Sequence, residues 1–125
     1  MKMAPFFAFA LALLVTDVAA QGTPNDQCKQ MGGVAGLAET CYGSTKIRDK
    51  LAGLVDAAVK NDPSIKGMMD QLVKSYNEAY YKATKDKVMW IGTTQQYNRK
   101  PYSCQVQEDV NVIRGMEQTV LVNMR

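Results

Sequence analysis

The sequence predicts an α+β protein in which an N-terminal helical hairpin is followed by antiparallel β-strands. Two patterns indicate this fold class. Between residues 44 and 87, apolar residues recur at intervals of three and four, the spacing of one helix face. From residue 88 to 125, apolar and β-favouring residues alternate with polar ones, as in half-buried strands.

Residues 1–20 have the pattern of a cleavable secretory signal. Lys2 supplies the positive start, an apolar run covers Pro5–Val15, and Val18–Ala20 is a small-residue cleavage site. A membrane-spanning helix needs about 20 apolar residues, and this run is about half as long. We therefore expect a secreted chain that begins at Gln21, has no membrane partner and forms one small domain.

Residues 21–43 predict a cysteine-containing loop, because glycines and a proline interrupt any regular period. A first helix is predicted from Ser44, a good N-cap, to Asn61. Asp62 and Pro63 suit the start of a second helix, which is predicted to run to Lys87. The two helices would form a hairpin over residues 44–87.

The remaining chain, residues 88–125, predicts three strands. The first begins at Val88–Ile91 and extends through Thr93, Thr94 and Tyr97 to a turn at residues 98–101. The second follows the alternation of Tyr102, Cys104 and Val106, with a continuation over residues 109–113. The third covers residues 119–124 and would be an unprotected edge. From this ending we expect a C-terminally truncated piece of a longer β-rich protein.

Three cysteines, Cys28, Cys41 and Cys104, are predicted to lie in an oxidising compartment, where thiols normally pair. Because the number is odd, one thiol is free, joins two copies of the chain, or pairs with a cysteine beyond residue 125. A Cys28–Cys41 bond would contribute about 3 kcal/mol in the chain-entropy model. Cys104 is equally eligible for either partner, so the sequence leaves the connectivity open.

Several classes of function are excluded or disfavoured by composition. The chain has no histidine, which excludes histidine acid–base catalysis and most zinc sites. The net charge is +3, but the basic residues are scattered among acidic ones, so no nucleic-acid partner is expected. Asp49 and Asp56 lie on the polar face of the first predicted helix, which is typical of a solvated surface. We expect no enzyme, no metal and no cofactor.

The region from Val88 to Arg125 resembles the first strands of the tick salivary lipocalins of the histamine-binding type. The corresponding pieces are Val88–Ile91, Thr94–Asn98, Tyr102–Cys104, Glu108–Asn111 and Val120–Asn123. The resemblance implies a partial lipocalin-like β-barrel that sequesters a small ligand. It also implies that Cys104 pairs with a much later cysteine, outside this sequence.

The candidate ligand-binding residues are Trp90, Tyr97, Tyr102, Glu108 and Asp109. The three aromatic residues flank one predicted turn and offer apolar contact and cation–π attraction to an amine. Glu108 or Asp109 would neutralise that amine. Alternatively, Trp90 and Tyr102 simply fill the core.

Two functions follow from these observations. The first is a secreted carrier that sequesters a biogenic amine or a lipid. The second is a small secreted effector that acts through the amphipathic helical surface of residues 44–87, with Cys104 joining two copies.

Overall fold

The computed structural model describes residues 23–91, 97 and 99–124. Within these ranges the fold is all-α, with four helices in the order α1 Pro24–Tyr42, α2 Lys46–Asn61, α3 Lys66–Asp86 and α4 Gln107–Asn123. A short 3₁₀ turn, Pro63–Ile65, joins α2 to α3. The predicted signal segment, residues 1–20, lies outside the described residues.

Helices α2 and α3 occupy the region in which a helical hairpin was predicted. Asp62 starts the joint between them, because its side chain accepts a hydrogen bond from the Ser64 backbone N–H at 3.2 Å. Pro63 takes the first position of the 3₁₀ turn, where its missing N–H costs nothing. The buried side chains of both helices follow the predicted stripe: Ile47, Leu51, Ala58, Met69, Leu72, Tyr76, Ala79 and Ala83.

The prediction of a loop at residues 21–43 is wrong over its described part, which is helix α1. Thr23 and Asp26 form a capping box, in which each side chain accepts a hydrogen bond from the other residue's backbone N–H, at 3.1 and 3.4 Å. Pro24 is compatible with the first turn, and Gly43 ends the helix in the left-handed conformation, with φ of 70°. The start and stop signals thus outweigh the glycines between them.

Those glycines form the contact between α1 and α3. A Cβ atom built on Gly32 would lie 2.1 Å from the backbone oxygen of Tyr76. One turn later, a Cβ on Gly36 would lie 2.7 Å from the backbone oxygen of Tyr80. The missing side chains allow the two backbones to approach closely, and the packing gained offsets a propensity cost of about 1 kcal/mol per glycine.

The prediction of antiparallel strands over residues 88–125, and with it the partial lipocalin-like barrel, is also wrong. The described residues contain no sheet, and the one β-bridge among them joins Trp90 to Tyr97. Residues 107–123, which include most of the predicted third strand, form α4. The strand extension through Thr93 and Thr94 lies outside the described residues.

The buried residues of α4 explain why a helix forms there. They recur at intervals of three and four, which matches a helix and not a strand, and they are Val110, Ile113, Glu117 and Val120, followed by Met124 beyond the last turn. Glu108 and Asp109 lie in the first turn, where negative charge is favourable. This burial outweighs the β-propensity of the valines, which is a weak preference.

The core is built around α1, which is buried along most of its length. Gln27, Cys28 and the run from residue 31 to residue 38 are all buried. The larger core cluster draws side chains from all four helices, among them Met31, Ile47, Met69 and Val120. Helix α1 is therefore the central element against which the others pack.

A disulfide joins Cys41 at the end of α1 to Cys104 in the turn before α4. This pairing overturns the one implied by the lipocalin resemblance, in which Cys104 pairs outside this sequence. The remaining thiol, Cys28, is free and only 1% exposed. Among the helices of the described ranges, none has the length and apolar character needed to cross a membrane.

Candidate ligand-binding cavities

Two of the predicted ligand residues, Trp90 and Tyr97, lie together. Their rings meet edge to face with centroids 5.4 Å apart, and both line a cavity of about 430 Å³. The other lining residues are charged: Asp26, Lys29 and Glu78. Trp90 is 5% exposed, and its indole N–H has no hydrogen-bond partner.

A lysine of the chain already occupies the position that an amine would take against Trp90. The Lys29 ammonium lies 4.3 Å from the centroid of the indole ring and 3.0 Å from a carboxylate oxygen of Glu78. Lys82 lies 5.6 Å from the Tyr97 ring. An external amine would have to displace Lys29 from both its cation–π contact and its ion pair. This arrangement favours an amine ligand less than the sequence suggested.

The other three predicted site residues lie elsewhere. Tyr102 packs against the smaller core cluster, and its backbone N–H donates to the Lys87 carbonyl at 2.8 Å. Glu108 is exposed in the first turn of α4. Asp109 accepts a hydrogen bond from the Ser103 backbone N–H at 2.9 Å, which fixes the turn that contains Cys104. None of the three lines the cavity of Trp90 and Tyr97.

A different cavity, of about 470 Å³, lies between α1 and α4, and we call it the α1–α4 groove. Most of its lining is aliphatic or thioether: Val34, Met89, Val112, Met116 and Val120. Gln30, Gly115 and Thr119 complete it, so no charged residue lines the groove. Its volume falls within the range typical of small-molecule sites, about 300–1,000 Å³.

Two residues determine how open the α1–α4 groove is and which polar group a ligand would need. Gly115 leaves it open, because a Cβ atom there would meet nothing within 4 Å. Gln30 provides a side-chain oxygen that is buried without a hydrogen-bond partner. An unpartnered buried polar group costs about 1–3 kcal/mol, which a bound hydrogen-bond donor would recover. The methionines can adjust to ligands of different shape.

Sequence reasoning missed this groove because its walls come from opposite ends of the chain. The α1 wall was assigned to a loop and the α4 wall to strands. The signal present in the sequence was the spacing of Val112, Met116 and Thr119, which places them on one helix face.

A partly buried polar network joins α4 to the end of α1. The Glu117 carboxylate, 8% exposed, accepts hydrogen bonds from the Tyr42 hydroxyl at 3.0 Å and from the Ser44 hydroxyl. Burial and the nearby Glu117 raise the pKa of Tyr42 above its ordinary value. The guanidinium of Arg114 lies 4.1 Å from the Tyr42 ring. Because every polar group there has a partner, the network holds α4 to the end of α1.

In the described part of the chain, no group of three or more histidine, cysteine, aspartate or glutamate residues is placed to hold a metal ion. No family model, curated protein or solved structure matches the sequence or its fold.

Proposed function

We propose that this chain is a secreted, non-enzymatic binding protein that holds a small, uncharged, mostly apolar molecule in the α1–α4 groove. One observation carries the proposal: the groove has an apolar, charge-free lining and contains a buried Gln30 oxygen without a partner. A ligand with an aliphatic body and one hydroxyl or amide donor would satisfy both features. Of the two expected ligand classes, this chemistry favours a lipid over an amine.

The secreted part of the proposal is supported by two observations. Residues 1–20 have the pattern of an export signal, and the Cys41–Cys104 disulfide is the kind of bond that persists in oxidising compartments. The effector alternative has less support. The apolar face of α2 and α3, which would have been its docking surface, is largely buried in the core.

The proposal is tested by titrating the purified chain with decanol below its solubility limit. Trp90, the single tryptophan, is the next residue after Met89 of the groove, so we expect its fluorescence to change on binding. We expect a saturable change, and displacement of an uncharged naphthylamine dye by the same ligand.

Gly115→Leu is the decisive variant, because it fills the groove at an exposed position where a side chain meets no neighbour. We expect its affinity for decanol to fall at least tenfold, or about 1.4 kcal/mol. Gly53→Leu is the matched control, since Gly53 is also exposed, helical and open but does not line the α1–α4 groove. Equal affinities in the two variants, or no saturable binding by the unmodified chain, would rule the proposal out.

A further inference from the structure

A second cleft, of about 570 Å³, lies between α2 and α3 and is separate from the α1–α4 groove. We call it the α2–α3 cleft. Its middle is apolar, lined by Leu51, Ala52 and Val55 of α2 and by Val73 of α3. Both helices pack on α1, and the cleft lies between them.

The two ends of the α2–α3 cleft differ in charge. The joint at residues 62–65 turns the chain back, so Asp56 and Asp70 lie at the end nearer the joint. Each is paired with a lysine one turn away, at 4.0 Å for Lys60 and 2.9 Å for Lys66. The acidic end is therefore already neutralised.

The opposite end is cationic and polar, and contains Arg48, Lys74, Tyr76 and Asn77. Arg48 is held in place from outside the cleft, because Glu39 accepts a hydrogen bond from its guanidinium at 3.1 Å. Lys74 is exposed and forms no ion pair with any described residue. Lys74 thus offers an ammonium that pairs with no carboxylate of the described residues, whereas Glu39 and Asp49 lie close enough to Arg48 and Tyr76 to act on both.

Tyr76 supplies a second polar group without a partner at the same end. Its side chain is 3% exposed, and its hydroxyl is buried with no hydrogen-bond partner. Buried polar groups in folded proteins are nearly always paired, so an orphan that lines a cleft requires an explanation. A ligand that brings an acceptor provides one.

We propose that the α2–α3 cleft is a second binding site, which takes an anionic amphiphile such as a medium-chain carboxylate. The carboxylate lies at the Lys74 end, where it pairs with the ammonium and accepts the Tyr76 hydroxyl hydrogen bond. The hydrocarbon chain lies along Val73 and Val55. The site does not depend on the α1–α4 groove, whose lining carries no charge and selects a different ligand class.

The test is a calorimetric titration of decanoate into the full chain and four variants at neutral pH. Lys74→Gln should weaken binding about threefold to fivefold, since an exposed ion pair contributes modestly. Lys85→Gln, the same charge change on the same helix outside the cleft, should leave the affinity unchanged. Raising the salt concentration should weaken binding to the unmodified chain but not to Lys74→Gln.

Tyr76→Phe separates binding from a merely structural role. We expect about tenfold weaker decanoate binding, because a hydrogen bond to a charged group is lost. The melting temperature should stay the same or rise, because the hydroxyl has no partner to lose. A lower melting temperature with unchanged affinity would overturn the role of Tyr76.

Two further outcomes would overturn the site as a whole. One is equal decanoate affinity in Lys74→Gln and Lys85→Gln. The other is loss of decanoate binding in Gly115→Leu, which would place the ligand in the α1–α4 groove instead. Decanol binding should be unaffected by Lys74→Gln, so each of the two proposed sites is tested independently of the other.

Discussion

Gly32 and Gly36 favour a loop when the sequence is considered alone, but in the fold they allow two helices to pack closely. Read along the chain, glycines spaced four apart break a helix. In the fold they lie where α1 meets α3, and each removes a side chain that would collide with the backbone of the other helix. Their positions are determined by the partner helix, which no local reading of residues 21–43 contains.

Gly32→Ala should strongly destabilise the fold. Its Cβ would lie 2.1 Å from the Tyr76 backbone oxygen, and backbone cannot move aside as a flexible side chain can. We expect a loss of about 1–3 kcal/mol or more in the free energy of unfolding, measured with urea. Gly53→Ala, where nothing lies within 4 Å, should gain up to about 1 kcal/mol. Equal effects of the two substitutions would contradict the close approach of α1 and α3.

The buried thiol of Cys28 should make the fold lose stability at alkaline pH. Burial raises the pKa of its thiol from 9.0 to about 12, so the folded chain holds this proton more tightly than the unfolded chain. The resulting stabilisation is complete below pH 9 and is lost as the pH rises from 9 to about 12. Burial also raises the pKa of Tyr76, which adds a similar loss above pH 10.

The measurement is the free energy of unfolding between pH 7 and 11, for the unmodified chain and for Cys28→Ala. The variant will be less stable than the unmodified chain because it leaves a cavity. The comparison is therefore made on the slope of the free energy of unfolding against pH, and not on its absolute value. We expect a shallower decline in Cys28→Ala from pH 9 upward. Parallel curves would show that the thiol is not buried.

At the scale of elements, α4 is where prediction from sequence failed most instructively. The valines and threonine of residues 119–124 favour a strand when considered alone. The longer spacing from Val110 through Ile113 and Val120 to Met124 is helical, and it decides the outcome because it permits burial against α1 and α2. A stretch of four to six residues, the length of one strand, is too short to show that helical spacing. A stretch of about fifteen residues shows it.

The α2 and α3 region was easier to predict because its signals agree. The Asp62 and Pro63 start, the polar outer face and the apolar stripe all indicate the same two helices. In α1, by contrast, the local signals disagree: the spacing of Thr23 and Asp26 suits a helix N-terminus, whereas the glycines favour a loop.

The disulfide is the covalent link between elements, and its removal tests the position of residues 99–106. The bond closes a loop with a sequence separation of 63 residues between Cys41 and Cys104. In the chain-entropy model such a loop contributes about 4 kcal/mol. We expect Cys41→Ser/Cys104→Ser to lower the free energy of unfolding by an amount of this order, measured with urea at pH 7.

Two comparisons sharpen this experiment. Reduction of the unmodified chain with dithiothreitol should reproduce the loss, because Cys28 is already a free thiol. Unchanged stability after both treatments, or a covalent dimer of the unmodified chain on a non-reducing gel, would contradict the internal pairing.

For the whole molecule, the sequence predicted the helices of the α2 and α3 region, but neither the α1–α4 groove nor the α2–α3 cleft. The three aromatic candidates were predicted to lie together because they flank one predicted turn, and Glu108 and Asp109 because either would neutralise an amine. In the fold, Trp90 and Tyr97 do meet, whereas Tyr102 packs in a separate cluster and Asp109 holds a turn. The α1–α4 groove and the α2–α3 cleft exist only where helices distant in the chain come together.

Over the residues that the structure describes, the molecule is an all-α scaffold in which the buried helix α1 borders the α1–α4 groove and supports the two helices of the α2–α3 cleft. One opening is uncharged and apolar, and the other is apolar with a cationic end. Uncharged and anionic ligands of the same length should therefore be distinguished by the protein. This discrimination depends on how the helices pack, since each opening is formed by two of them.

The central claim is that an uncharged apolar ligand binds in the α1–α4 groove, and the most direct measurement is a two-dimensional amide NMR titration with decanol. We predict that saturable shift changes concentrate on Val34, Met89, Val112, Gly115 and Met116, with little change along the outer face of α3 near Lys74. Shift changes that avoid these groove residues, or none at saturating decanol, would contradict the account.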